Sequence, residues 1–509
     1  MDRIRKQLRK VAAWLKHFEV SGHRGFLDRV IRMVLLAGAF LRLSVWWQNR
    51  SLFIDEANLA RNFCDTGWAA FFQPLQYDQY APPLFCLAQR LNVQWFGQHE
   101  YALRLFPLLC SLAAIPLFYR LAKRMVSNGW VLLALAWIFS FSDLFLRYAT
   151  EAKQYGCDLW VALGIVLWCL ERRFRPLVAA ALGAAAVWLS MPSVFILFGA
   201  GLYFFQKAWL DKDRKALVRT GLVLLAWCGS FATYYLLLLR PSLGVEALVE
   251  WHRTWFFPLF PASAGALRQA RDLLMSFPYY TAGHTVLALA AGAAGILSGL
   301  AYLARNEKSG GLLIALPVLA CIVASGFGYY SLIPRMLVWA FPLALLVQGL
   351  GWQWWWEKSH RYLRPLWLAV WIGAASLHSG WQYLREPFKL EEIRPVLQTV
   401  AQNFREGDAV YVSHEAWPAT AYYTTCYSGK RRYSFANHLI KGAWDGHPAA
   451  AMPDTAGRPA RRIWLVYSHL LSDVSRQAMQ ADLKVISGFA RQAFVAEQPG
   501  ACGYLYIPQ

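Results

Sequence analysis

The chain has 509 residues, of which 57% are hydrophobic and only 16% charged, and its mean hydropathy is +0.30. Soluble domains carry about 25% charged residues, so the composition excludes an ordinary soluble protein, and its apolar richness excludes intrinsic disorder. The net charge of +21 would point to nucleic acid in a soluble chain; in one this apolar it marks basic cytoplasmic loops that orient a membrane protein.

The first residues, MDRIRKQLRKVAAWLKHF, are basic and amphipathic. They read as a cytoplasmic helix lying on the membrane surface over residues 1–29. No A-x-A-like site follows the apolar run Val30–Trp47, so a cleavable signal is not expected. Apolar windows of about 20 residues then predict spans at 30–48, 101–119, 129–147, 157–170, 177–191, 193–206, 220–239, 285–304, 311–327, 334–350 and 365–381. Alternate connections are rich in Lys and Arg: Arg120, Lys123 and Arg124; Arg172, Arg173 and Arg175; Lys207, Lys212, Arg214, Lys215 and Arg219; Arg305 and Lys308; Lys358, Arg361 and Arg364. The positive-inside rule puts these in the cytoplasm with the N-terminus. An odd number of spans then places the region from about Arg385 outside.

Two outer segments, 48–100 and 240–284, are too long to be simple connectors, and long loops in compact proteins usually carry function. Helices lying along the interface are expected in both. The run WQWWWEKSHRYLR before the last span reads as an interfacial anchor. Beyond it the composition changes. LEEIRPVLQTVAQNF has helical periodicity, Gly407 and Asp408 form a turn, AVYVSH and RRIWLVYSH read as strands, LLSDVSRQAMQADL as a capped helix and GYLYIP as a last strand. Strands alternating with helices predict a small α/β domain over 385–509. Among the nine cysteines, Cys110, Cys169, Cys228 and Cys321 read as small buried hydrophobes. Cys426 and Cys502 lie in the outer polar region and are expected to be able to pair.

The acidic residues of the outer segments are the chemical candidates. Asp55 and Glu56 in LFIDEANLARNF follow the first span. A carboxylate beside a bilayer is costly unless solvated or functional. Neighbours at i and i+1 do not share a helix face, so one of them, Asp55 by preference, is the candidate general base; the alternative is that Asp55 caps a helix. In YDQYAPPLF, Pro82 and Pro83 suit a helix start, with Asp78 and Gln79 just ahead of it, where turn chemistry alone is the alternative. In LRYATEAKQYGCD, a continued helix would put Arg147, Glu151 and Tyr155 on one face and Lys153 elsewhere. Lys153 or Arg147 is a candidate phosphate ligand; the alternative is an ordinary Arg–Glu pair. Arg335, at the outer mouth of a span, either snorkels to lipid phosphate or binds a charged substrate. Asp211–Lys212–Asp213 matches a D-x-D pattern but sits in a short basic loop and reads as a solvated charge run.

Taken in order, the acidic pair after the first span, the D-Q-x-x-P-P-L segment and EYALRLFPLLCSLAAIPLFYRLAKRM resemble the start of a GT-C glycosyltransferase of family 39, the protein O-mannosyltransferase and aminoarabinose transferase type. RYATEAKQYG is similar to that family's Glu-x-Arg-x-Tyr segment, with Lys153 in place of Arg. IPRMLVWAFPLALLVQGL is similar to its late Pro-Arg-Tyr-Leu span, with Met336 in place of Tyr. The likeness runs through most of residues 30–350. It implies an α-helical polytopic membrane protein of GT-C fold, with a small C-terminal α/β extracytoplasmic domain, in a bacterial inner membrane.

The resemblance further implies a sugar donor linked to polyprenyl phosphate, with Asp55 as catalytic base and inversion at the anomeric carbon. Lys153, Arg335 and Arg147 are then candidates for the phosphate. Glu56, Asp78, Gln79, Glu151 and Tyr155 are candidates for sugar hydroxyls or for orienting the cations. The implied chemistry has no obligatory metal, although some members of the superfamily use one; no cofactor is expected. The acceptor, whether lipid, glycan or protein, is not implied, and no nucleic-acid partner is. Competing readings are a transporter or flippase, a polysaccharide polymerase, and a membrane scaffold. A transporter would place charge near the midplane and show internal repeats, and neither is seen in the sequence.

Overall fold

The computed structural model describes residues 24–171, 174–242, 250–306, 310–372, 374–385, 388–427, 433–442 and 462–509. The basic N-terminal segment up to residue 23, and Arg172, Arg173 and Lys308 of the basic loops, lie outside the described residues. The chain divides into two compact units. The first comprises residues 1–46, 81–85 and 106–386. The second comprises 47–80, 86–105 and 387–509.

Among the described residues most of each apolar window predicted from the sequence falls on helix; the window 334–350 opens on a 3₁₀ turn, with α-helix only from Phe341. In the first unit these are α1 (Arg24–Trp47), most of α4 (Glu100–Met125), α5 (Gly129–Phe141), the short α6 (Asp143–Arg147), α7 (Tyr155–Glu171), α8 (Pro176–Leu189), α9 (Ser193–Leu210) and α10 (Arg214–Tyr234). They continue with α11 (Ala264–Ala282), α12 (Val286–Arg305), α13 (Gly310–Gly326), α14 (Phe341–Lys358), α15 (Arg364–Ile372) and α16 (Ala374–Arg385). Among the described residues five helices are long and apolar enough to cross a bilayer: Gly25–Trp47, Glu100–Met125, Ser193–Leu210, Arg214–Leu239 and Val286–Arg305. Helices α5, α8 and α13 are apolar but shorter.

Their faces are apolar nearly all round, as a lipid solvent permits. Small residues allow close approach. A Cβ on Gly156 would stand 2.8 Å from the Pro107 carbonyl oxygen, so only glycine lets α7 lie against α4 there. Arg42, fully buried in this apolar interior, is compensated by dipoles: it donates to Ser111 Oγ, the Gly38 carbonyl and the Phe139 carbonyl at 2.9–3.1 Å. Beside α14, Trp352, Trp356, Trp367 and Trp371 stack, with the Trp352 and Trp371 rings 4.9 Å apart, which seats the aromatic run on α14 and α15.

Two expectations are corrected here. The window 129–147 is not one helix: α5 ends at Ser142, whose extended backbone turns the chain before α6, and residues 148–154 form no helix. Arg147, Glu151 and Tyr155 therefore do not share a helix face. Asp143 accepts from Tyr383 Oη at 2.7 Å and Ser142 donates to the Tyr280 carbonyl at 3.3 Å, so tertiary bonds hold the break. Cys228 is exposed, because it lies on the outward side of an apolar helix. The Asp211–Asp213 run is solvent-exposed, as expected, and it also punctuates a helix: Asp213 Oδ1 accepts from the Ala216 N–H at 3.0 Å and caps α10.

The second unit carries α2 (Ile54–Asp65), most of α3 (Pro83–Phe96), the first turn of α4, α17 (Ile393–Asn403), α18 (Trp417–Ala421) and α19 (Asp473–Ser487). With them lies a five-stranded sheet of β1 (Asp408–Val412), β2 (Leu439–Lys441), β3 (Arg462–Ser468), β4 (Ala490–Gln498) and β5 (Ala501–Pro508), ordered β2-β1-β3-β5-β4. The first three strands are parallel; β5 and β4 are antiparallel. The expected α/β reading holds for β1, β3, β5, α17 and α19. The short β2 and the mostly exposed edge strand β4 carry no buried run of their own, and were not expected.

Cys426 pairs with Cys64 on α2, not with Cys502. Its Cα lies 5.7 Å from that of Cys64, across 362 residues of sequence. Cys502 instead faces the Met479 sulfur inside the sheet core. Proximity in the fold decides pairing, and polarity of the surrounding sequence does not.

Candidate active site

The acidic pair at the start of α2 separates into two different environments. Phe53 is the residue before the helix, so Ile54, Asp55 and Glu56 are its first three positions. Capping is done by Glu56, whose Oε2 accepts from the Phe53 N–H at 3.3 Å. Asp55 is therefore not the cap. Glu56 is fully buried. Arg50 Nη1 donates to its Oε2 at 3.0 Å, while Arg104 donates to Oε1 at 3.0 Å and to Oε2 at 2.7 Å. Both oxygens are thus engaged by guanidinium groups, and no surface of Glu56 is left to meet a sugar. Asp55 is partly exposed and one residue nearer the helix start, where the helix dipole favours a carboxylate.

The segment before α2 is held from several directions within the same unit. Arg104 donates to the carbonyls of Arg50 and Ser51 at 2.6 and 3.0 Å. Arg394 pairs with buried Glu100 and donates to the Asn49 carbonyl at 2.7 Å. Tyr423 Oη donates to Glu100 at 2.8 Å and accepts from the Leu52 N–H at 2.9 Å. Burial first, then the Glu100 charge, holds the Tyr423 phenol above its ordinary value, which keeps it a donor. Ser51 Oγ donates to Glu392 at 3.0 Å. Glu391 accepts from the Ile54 N–H and Ser468 Oγ, both at 3.2 Å, and bonds to His469 Nδ1 at 2.7 Å. A carboxylate at the first turn of a helix whose entry is fixed this firmly is preorganised.

Asp78 and Gln79 lie in a loop fastened to α2. Asn62 exchanges two hydrogen bonds with Gln76, and the Arg61 guanidinium stacks 3.7 Å from the Tyr77 ring centroid. Tyr77 and Asp78 both adopt left-handed backbone, with φ of 62° and 52°. Asp78 is exposed. Gln79 Nε2 donates to the Tyr77 carbonyl at 3.2 Å. As expected, α3 starts at Pro83.

The remaining candidates gather in the first unit. Arg147 Nε lies 3.7 Å from Glu151 Oε1, so the pair survives the loss of the helix. The Arg147 guanidinium lies 5.3 Å from the Tyr148 ring centroid, and the Tyr148 and Tyr155 rings meet edge to face at 5.3 Å. Burial, and then the charge of Glu151, pushes the Tyr148 phenol up, opposed by Arg147 and Arg335. Arg335 therefore acts on the same group of residues. It lies 5.3 Å from the Trp251 ring centroid, on a short 3₁₀ turn opened by Pro334. Lys153 and Glu151 are buried, which suits ligands of a charged group better than a solvated pair. Beside Tyr280 and Pro334 a cavity of about 850 Å³ is lined also by Trp255, Arg268, Gln269 and Asp272.

Sequence reasoning did not reach Glu391, His469, Glu100, Arg104 and Arg394. A usable signal existed for Glu100 and Arg104: opposite charges at i, i+4 in an apolar helix face inward together. Glu391 and Glu392 were read as part of a helix that begins only at Ile393. No signal marked His469. Among the described residues no group of three His, Cys, Asp or Glu side chains is placed to hold a metal.

No protein-family model matches the chain, and neither does any curated protein sequence. Solved structures that share its fold include two of one protein. ArnT from Cupriavidus metallidurans bound to undecaprenyl phosphate aligns with a TM-score of 0.52 at 13% identity, covering 94% of this chain and 98% of that one. The apo state of the same protein aligns with a TM-score of 0.50 at 12% identity over the same shares. ArnT is an aminoarabinose transferase of the GT-C superfamily. At these identities the likeness establishes a fold, and it extends through both units.

Proposed function

We propose that this chain, whose fold is that of the GT-C glycosyltransferases, moves a sugar from a polyprenyl-phosphate donor to an acceptor hydroxyl on the extracytoplasmic face of a membrane. The observation that carries the reading is the division of labour in α2. Glu56 caps the helix and is buried among arginines, while Asp55, one position nearer the same helix start, is partly exposed. Asp55 takes the proton from the acceptor hydroxyl. The freed oxygen attacks the anomeric carbon from the face opposite the phosphate, the carbon–oxygen bond to the phosphate breaks, and polyprenyl phosphate leaves with inversion. Lys153, Arg147 and Arg335 meet the negative charge that develops on the departing phosphate. Lys153 supplies charge without the bidentate fork of an arginine. Asp78, Gln79, Glu151 and Tyr155 are the polar groups proposed to meet sugar hydroxyls or orient the cations, and Glu56 is reassigned to holding the fold.

Incubating purified protein with a polyprenyl-phosphate sugar tests the reading. Release of free polyprenyl phosphate, dependent on an acceptor, is the expected result. Movement of the donor across a vesicle membrane without cleavage would replace a transferase by a transporter. Lys153→Ala should impair donor use, raising the donor concentration needed for half-maximal rate more than that of the acceptor. Equal effects in both titrations would remove Lys153 from the phosphate site.

The placement of α2 and the C-terminal domain outside the cytoplasm has its own support. Disulfides persist in oxidising compartments, and Cys64 and Cys426 are joined. In intact cells, a membrane-impermeant maleimide should label this pair only after reduction. Labelling without reduction would argue against the bond, and no labelling of reduced intact cells would argue against the orientation.

A further inference from the structure

His469 stands at the end of β3 with φ of 62°, a left-handed backbone that histidine and asparagine accept more readily than most residues. Its Nδ1 bonds at 2.7 Å to Glu391 Oε1, and the second oxygen of that carboxylate accepts from the Ile54 N–H at 3.2 Å. Glu391 is buried to 1% exposure, whereas the His469 side chain is 40% exposed. One buried carboxylate thus ties the imidazole to the backbone position immediately before Asp55. The turn Pro499–Gly500 braces this arrangement: the Pro499 carbonyl accepts from the Glu392 N–H at 2.8 Å and the Gly500 carbonyl from the Leu470 N–H at 3.2 Å.

Resting on the assignment of Asp55 as the base, we infer that His469 is a positioning residue whose positive charge, held in place by Glu391, keeps the Asp55 carboxylate ionised and ready to accept a proton. The groups acting on the imidazole are Glu391 from the segment before α17, Asp55 from α2 and Glu415 after β1. All three are acidic. The hydrogen bond to Glu391 and these charges raise the imidazole above its ordinary value of 6.5, against the opposing effect of burial. The cation therefore persists further toward neutral and alkaline pH than in a free histidine. Coupling of this kind is reciprocal: if Asp55 favours the imidazolium, the imidazolium favours ionised Asp55. The consequence for turnover is a base that stays ionised, and so competent, further toward acidic pH than it would without the imidazolium.

Two measurements on the full-length protein in membrane mimetics decide the matter. The pH profile of kcat/KM should move in His469→Asn, which suits the backbone but carries no charge. Activity on the acid side, relative to the variant's own plateau, should fall by about three- to tenfold. His469→Lys, which restores a cation, should return the acid limb toward its wild-type position. Independently, the imidazole of His469, followed by NMR in histidine-labelled protein, should titrate at lower pH in Asp55→Asn than in wild type. An unmoved profile in an active His469→Asn variant, or an unchanged His469 titration in Asp55→Asn, overturns the inference. A transferase-active Asp55→Asn would instead remove Asp55 as base, which separates failure of the underlying reading from failure of the coupling. If His469→Asn does not fold, the titration in Asp55→Asn still decides.

Discussion

Asp55→Asn is expected to leave a folded, membrane-inserted protein whose sugar transfer is reduced by about 10²- to 10⁴-fold, the usual contribution of a general base. The substitution is nearly isosteric. It removes one negative charge from the first turn of α2, which costs roughly 0.3–1 kcal/mol of helix-dipole interaction. It does not remove the helix cap, because Glu56 and not Asp55 accepts from the Phe53 N–H. The bonds of Arg50 and Arg104 to Glu56 are made by groups the substitution leaves in place. Loss of activity without loss of stability is therefore the specific signature. Transfer of labelled sugar from a polyprenyl-phosphate donor in a membrane assay is the measurement, with thermal unfolding as the control. Near-normal transfer by this variant would end the assignment of Asp55 as base.

Glu56→Gln should produce the opposite pattern. Arg50 and Arg104 are both buried and both rely on Glu56. Removing one partner of a buried ion pair leaves charge uncompensated, at a cost of about 3–5 kcal/mol. A glutamine retains one acceptor oxygen but contributes no charge and puts an NH2 donor where an acceptor stood, against Arg50, Arg104 and the Phe53 N–H. The entry to α2 then loosens, because Arg104 also holds the carbonyls of Arg50 and Ser51. The expected result is a lower unfolding temperature and easier proteolysis of the segment around residues 48–56. Activity should fall with the amount of folded protein. A Glu56→Gln protein as stable as wild type would show that the pair is not what fixes the start of α2. Adjacent carboxylates, substituted identically, are thus expected to report on two separate properties.

The membrane part was legible in the sequence because lipid imposes a single strong rule: backbone groups bond internally and faces become apolar, which composition alone displays. Its failures lie where tertiary bonds override the local pattern. The continuous apolar run through 129–147 conceals the break at Ser142, which is held by Tyr280 and Tyr383 from more than a hundred residues away. The candidate base was visible as an acidic pair after an apolar segment. Which carboxylate does what was not, because the answer depends on Arg104 of α4. Partners such as Glu391 and His469 lie more than three hundred residues from Asp55, and no periodicity connects them. The disulfide was misassigned for the same reason: Cys64 belongs in sequence to an early loop and in space to the C-terminal sheet domain.

The second compact unit is composed of three separate stretches of chain, 47–80, 86–105 and 387–509, with a covalent bond between the first and the last. Such a module cannot be cut out with a single pair of boundaries. Residues 387–509 produced by themselves would present Arg394 without Glu100, Glu391 without the Ile54 N–H, and Cys426 with an unmatched thiol. Exchange of this terminal region between related proteins, by recombination or by design, would have to carry the early stretches 47–80 and 86–105 with it. The two regions are therefore expected to be inherited as one linked pair, even though most of the membrane helices separate them along the gene.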